Sequence, residues 1–142
     1  MKKVSIIIPC YNEESNLINL YQNLASFMNE HSEYLWQILL INDGSRDHTF
    51  EIIKDIRTKD KRFCYIHLSR NFGKENTMLA GFDHVHGDCC IIMDADLQHP
   101  LESINQMIKL WEEGYDVVLA KRSDRKTDHV LQRITAQAFY KA

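Results

Sequence analysis

The side chains best suited to chemistry are Asp94 and Asp96, one residue apart where an apolar run ends in "IIMDADLQHP" (91–100). Carboxylate oxygens suit Mg²⁺ or Mn²⁺, ions that keep waters and bridge to phosphate oxygens. Gln98 adds an amide oxygen, and His99 a nitrogen that would favour Mn²⁺. The structural alternative is that Asp96 or His99 caps the helix opened by Pro100, with Asp94 solvated. In "NDGSRD" (42–47), Asp43 can accept hydrogen bonds from a base or ribose, and Gly44 lets the backbone approach a ligand. A turn followed by Asp47 as helix cap accounts for the same residues. In "SRNFGKE" (69–75), Arg70 and Lys74 carry charge enough to neutralise a diphosphate. Arg122 and Arg125 of "KRSDR" suit bidentate phosphate pairing, or form plain exposed surface. Neither GxxxxGK[ST] nor GxGxxG occurs, which disfavours a P-loop ATPase or a dinucleotide site. His31, His48, His67, His84 and His86 have no metal-ligand spacing and are read as structural.

Positioning these groups requires a scaffold, and the apolar patterning describes one. Short apolar runs at 4–8, 36–41, 63–68, 89–93 and 116–120 are near-continuous, as in strands covered on both faces. Helical spacing separates them: Leu17, Leu20, Tyr21, Leu24, Phe27 and Met28; then Phe50, Ile53 and Ile56; then Met78, Leu79 and Phe82. Leu101, Ile104, Ile108 and Trp111 mark a helix after Pro100, and Val130, Leu131, Ile134 and Ala138 predict a last one. Alternating strands and helices mean βαβ units, hence an α/β fold with a doubly wound, mainly parallel sheet. One domain over 1–142 is expected, with 121–129 as a flexible loop. The chain ends within the last helical pattern without a C-cap signal, as the N-terminal part of a longer fold would. Open parallel sheets bind ligands beyond the carboxyl ends of their strands. Each polar cluster, with "PCYNEE" (9–14) after the first strand, follows a strand on that rim.

The totals narrow the classes. Lys and Arg number 17 against 20 Asp and Glu, a net charge of −3, so nothing global argues for nucleic acid or an acidic membrane surface as partner. Cys10, Cys64, Cys89 and Cys90 lack CxxC spacing and read as buried free thiols of a reducing compartment. The N-terminal apolar run is cut by Pro9, Asn12 and Glu13–Glu14 below signal-peptide length, and no segment suffices to span a bilayer. A soluble cytoplasmic domain is expected.

Taken in order, "VSIIIPCYNEESNL", "NDGSRDHT", "LSRNFGKE" and "MDADLQHP" resemble the family 2 glycosyltransferases. The branch is that of dolichyl-phosphate mannose synthase and the bacterial polyprenyl-phosphate glycosyltransferases. The resemblance runs from Val4 to Tyr140, nearly the whole chain. It implies the GT-A, nucleotide-diphospho-sugar transferase-like fold and inversion at the anomeric carbon. It implies that Pro9, Tyr11 and Glu13 border the nucleotide, that Asp43 contacts base or ribose, and that Asn42 and Lys74 belong to the same nucleotide site. Asp94, Asp96 and Gln98 would hold Mg²⁺ or Mn²⁺ against the diphosphate, with Asp94, Asp96 and Arg122 as the catalytic set. One departure stands out: the family usually reads Asp-Asp-Gly-Ser where this chain has Asn42-Asp43-Gly44-Ser45. Asn keeps an acceptor oxygen but loses a charge, which bears on nucleotide choice.

The implied reaction moves a sugar from a nucleoside-diphosphate sugar, UDP-linked or GDP-mannose, to an acceptor. A metal and basic groups stabilise charge on the leaving diphosphate. A sugar hydroxyl acceptor needs a general base, whereas a polyprenyl phosphate is already an anionic nucleophile. No motif offers a spare carboxylate, which favours polyprenyl phosphate. Transfer to a glycan hydroxyl for cell-surface polysaccharide, an inert nucleotide-binding fragment and a DxD phosphohydrolase are the alternatives. In the last, Asp94 would be the nucleophile; its place on the fourth strand and Gln98 where Thr is expected speak against it. Action at the cytoplasmic face of a membrane is expected of the full-length protein, with a homo-oligomer left open.

Overall fold

A computed structural model describes residues 1–98, 100–122 and 134–141, with side chains as far as Leu119. Two units make up the chain, 1–99 and 100–142. In the first the order is β1 (Lys3–Cys10), α1 (Leu17–Glu30), β2 (Leu35–Asn42), α2 (Thr49–Lys59), β3 (Phe63–His67), α3 (Lys74–Phe82) and β4 (Cys89–Ile92). The strands form one parallel sheet ordered β3-β2-β1-β4. Residues 4–8 of β1 are all buried, which explains a strand apolar on both faces.

The register assigns the faces. Cys10 lies opposite Asn42 and Asn42 opposite His67, so alternate residues Ile8, Leu40 and Tyr65 share that face. Tyr21 of α1 packs edge-on against Phe63, and Phe50 of α2 packs edge-on against Tyr65 and stacks on His67, so α1 and α2 cover this side. Ile7, Leu39 and Ile41 form the opposite face, packed with Cys64, Ile66 and Val85. There α3 presses close: a Cβ on Gly81 would meet Ile7 and Ile41 side chains at 2.8 Å. Helices on both faces of a parallel sheet are the doubly wound arrangement expected.

The second unit holds α4 (Glu102–Glu112), β5 (Tyr115–Arg122) and β6 (Ile134–Lys141). The strand expected at 116–120 forms as β5, but it pairs antiparallel with β6 in a two-stranded sheet. A terminal helix is therefore corrected to a strand over Ile134–Lys141; Val130 and Leu131 lie outside the described residues. The spacing of Ile134 and Ala138 fits a period of two as well as a helical turn, and Ile, Thr, Phe and Tyr favour the extended form. Lys121 and Arg122 complete β5, while the rest of the loop expected at 121–129 lies outside the described residues. All four cysteines are free, but only Cys10 is buried; Cys90 is exposed on β4, an outer strand of its sheet. Among the described residues no helix is long and apolar enough to cross a membrane.

Candidate functional site

The parallel register brings the carboxyl ends of β1, β2 and β3 level, with Cys10, Asn42 and His67 in one row. Beyond β4, the Met93 N–H donates to the Ile7 carbonyl at 3.1 Å and carries the chain into Asp94. The polar clusters after β1 to β4 thus gather on one rim.

Two of these loops are bonded to each other. The Asn12 N–H donates to Ser45 Oγ at 3.0 Å, and Asn12 Oδ1 accepts the Arg46 N–H at 2.9 Å. The Glu13 N–H donates to Thr49 Oγ1 at 2.8 Å, and Glu14 Oε2 accepts the His48 N–H at 2.9 Å. Asp47 accepts N–H bonds from Glu14 and Thr49 and a hydroxyl bond from Thr49. Burial would raise the Asp47 carboxyl, but the Thr49 hydroxyl and the two N–H donors outweigh it and hold the group below its ordinary value. Asp47 serves the first turn of α2 from one residue outside the cap position, which His48 occupies. Asn12 takes a left-handed backbone, φ 52°, an arrangement Asn tolerates and these bonds stabilise. The effect is to present Tyr11, 44% exposed, at the end of β1. Pro9 is half-buried within β1, opposite Ile41. Glu13 Oε2 accepts from the Asn16 amide at 2.7 Å.

The third loop is fastened to the second. Gly44, φ 67°, lies so near the β3–α3 loop that a Cβ would collide with the backbone of Arg70 and Asn71. Asp43 is buried, 4% exposed, and its two oxygens accept the Phe72 N–H at 2.7 Å and the Gly73 N–H at 3.1 Å. Asn42 is wholly buried: its amide nitrogen donates to His67 Nδ1 at 2.9 Å and its oxygen accepts the Ser45 N–H at 3.2 Å. Both residues are sequence-predicted nucleotide contacts; the structure places them beneath the loops, with Asn42 offering no exposed surface. Arg70 lies over the Phe72 ring at 4.6 Å.

The fourth loop carries the paired aspartates. Lys74, first residue of α3, reaches Asp94 Oδ1 at 2.6 Å. Asp96 is exposed, and its Oδ1 accepts the Gln98 N–H at 3.2 Å across a turn in which Leu97 has φ 56°. In the second unit the cap residue of α4, Leu101, has no side-chain cap bond, and Ser103 Oγ donates to the Pro100 carbonyl at 2.6 Å. His99, Arg125 and the side chain of Arg122 lie outside the described residues. Among the described residues no three His, Cys, Asp or Glu side chains form a metal cage. Two carboxylates and an amide oxygen on one turn fit an ion that takes its other ligands from water and phosphate. On the same turn the Lys74 ammonium pairs with Asp94.

Cys10, at the end of β1, is not a nucleophile: burial, then the Glu13 charge, pushes its thiol far up, so it stays protonated. Sequence reasoning found the rim residues but missed the bonds among them. Asn12, Ser45 and Asp47 sit in the polar clusters and Thr49 opens α2, and only the fold pairs them.

The profile of Glycosyl transferase family 2 matches residues 5–138. The chain is 48% identical to CsbB of Bacillus subtilis (strain 168) over 97% of its own length and 41% of that protein's. It is 45% identical to the bactoprenol glucosyl transferase of Shigella phage SfV, over 98% of this chain and 45% of that one. It therefore spans less than half the length of these relatives. The mannosyltransferase PcManGT from Pyrobaculum calidifontis, solved in complex with GDP-Man and Mn²⁺, shares the fold with a TM-score of 0.72 at 18% identity, over 89% of this chain and 37% of that one. With the motifs in order on one rim and the family profile covering nearly all of it, the chain belongs to glycosyl transferase family 2.

Proposed function

We propose that this chain is the sugar-nucleotide-binding domain, over 1–142, of an inverting glycosyltransferase that moves a sugar to polyprenyl phosphate. The observation that carries the reading is the rim itself, where the Asp94–Asp96 turn faces the cationic Lys74 start of α3. Similarity to a bactoprenol glucosyl transferase supports the lipid phosphate acceptor. A UDP-sugar is proposed as the donor, with GDP-mannose second. Tyr11 borders the base, while Asp43 and Asn42 hold the loops that enclose it. Asp94, Asp96 and Gln98 would hold Mg²⁺ or Mn²⁺, and the bound ion would stabilise charge on the departing diphosphate. Lys74 adds positive charge to the same oxygens, and Arg122 is assigned to phosphate.

The acceptor phosphate attacks without prior deprotonation. The carboxylates of Glu13, Glu14, Asp43, Asp47 and Asp94 each already accept a bond from a protein group, consistent with a site that needs no general base. A lipid-borne acceptor places the reaction at a membrane surface, on the cytoplasmic face where nucleotide sugars occur. The test is thermal stabilisation of the full-length protein by UDP-sugars and GDP-mannose, with and without Mn²⁺. One donor class should raise the melting temperature only when Mn²⁺ is present. Silence from every donor would sink the reading.

A further inference from the structure

Asp43 fixes the approach to Lys74. Its buried carboxylate holds the N–H groups of Phe72 and Gly73, the two residues immediately before it. The Thr77 hydroxyl and N–H donate to the Gly73 carbonyl at 2.8 and 3.0 Å and close the first turn of α3. A rigid base therefore aims a long, flexible cation at Asp94.

The pair at the end of that arm is of a different kind. Lys74 and Asp94 side chains are 58% and 42% exposed, so solvent screening leaves their ion pair weak and readily exchanged. A divalent ion held by Asp94 would compete for Oδ1, the oxygen that Lys74 now engages, and would repel the ammonium. A diphosphate arriving at the same turn offers Lys74 new anionic oxygens.

Resting on the sugar-nucleotide reading above, we propose that Lys74 is a placeholder cation. It neutralises Asp94 until the donor arrives, then moves its ammonium to a phosphate oxygen and frees Asp94 for the divalent ion. Metal and nucleotide are thereby coupled: the ion alone binds weakly, and each ligand strengthens the other by the same factor. Lys74 is a positioning residue here, because its effect on the ion acts through Asp94.

The test is the electron paramagnetic resonance signal of free Mn²⁺, titrated with full-length wild type, K74M, K74Q and K74R, with and without UDP, and for wild type with GDP as well. Removing the charge should tighten binding of Mn²⁺ alone by about two- to fivefold, the scale of one exposed ion pair. The enhancement by UDP should shrink in K74M and K74Q, while K74R stays near wild type. If neutral variants bind Mn²⁺ alone no more tightly than wild type, while UDP still enhances wild-type binding, the placeholder role is overturned and the sugar-nucleotide reading stands. If wild type retains no Mn²⁺ even with UDP or GDP, both fall together.

Discussion

At Asn42 one amide meets a donor on one side, the Ser45 N–H, and an acceptor on the other, His67 Nδ1. That arrangement assigns the His67 proton to Nε2, and Phe50 stacks on the ring at 3.9 Å. A carboxylate at 42 would put a charge at a wholly buried position and remove the amide donor, so that His67 would have to shift its proton to Nδ1 to keep the pair. N42D should therefore lower unfolding free energy by about 1–3 kcal/mol in denaturant titrations. An unchanged midpoint would contradict the pairing. The sequence showed Asn in place of Asp as a lost charge; the matching His67, 25 positions away, becomes visible only through the register. Asp43 gives a parallel expectation. D43A strips two loop N–H groups of their acceptor, at a cost of about 1–3 kcal/mol each where they stay buried. Both stability and donor affinity should drop, measured by melting and calorimetry.

Among the elements, the loops behave as one bonded unit. Gly44 is the narrowest point, because a side chain there faces both a left-handed backbone and the Arg70–Asn71 peptide. G44A should cost upwards of about 2 kcal/mol and weaken nucleotide binding in step, since it displaces the loop that carries Lys74. Asp47 makes the β1–α1 and β2–α2 loops sensitive to acid. Its carboxyl is held below the ordinary value, so its contribution is fully present above about pH 4. That contribution fades as pH falls through the lower folded-state value. A melting series from pH 5 to pH 2.5 should show a shallower acid loss in D47N, which keeps the acceptor oxygen but does not titrate. At this scale the sequence was most legible where patterning was unambiguous: the Val4–Ile8 run and the α1 stripe could be little else. It failed over Ile134–Lys141, where helical and extended periods coincide and only pairing with β5 decides.

For the whole molecule, the parallel register turns scattered motifs into a site by setting strand ends level. Topology alone predicts that, which is why the rim is legible in the sequence. What could not be read was which polar side chains face a ligand and which hold loops, since Asn42 and Asp94 look alike in sequence and differ in burial. The proposed sugar transfer to polyprenyl phosphate depends on the Asp94–Asp96 turn. Its most direct measurement uses the full-length protein, sugar-labelled UDP-glucose, Mn²⁺ and polyprenyl phosphate, with label counted in the organic extract. Wild type should carry label into the lipid phase, and D96N should lose at least about 100-fold of that rate. Label that stays in water for wild type across UDP-sugars and GDP-mannose, or a D96N variant as fast as wild type, would contradict it.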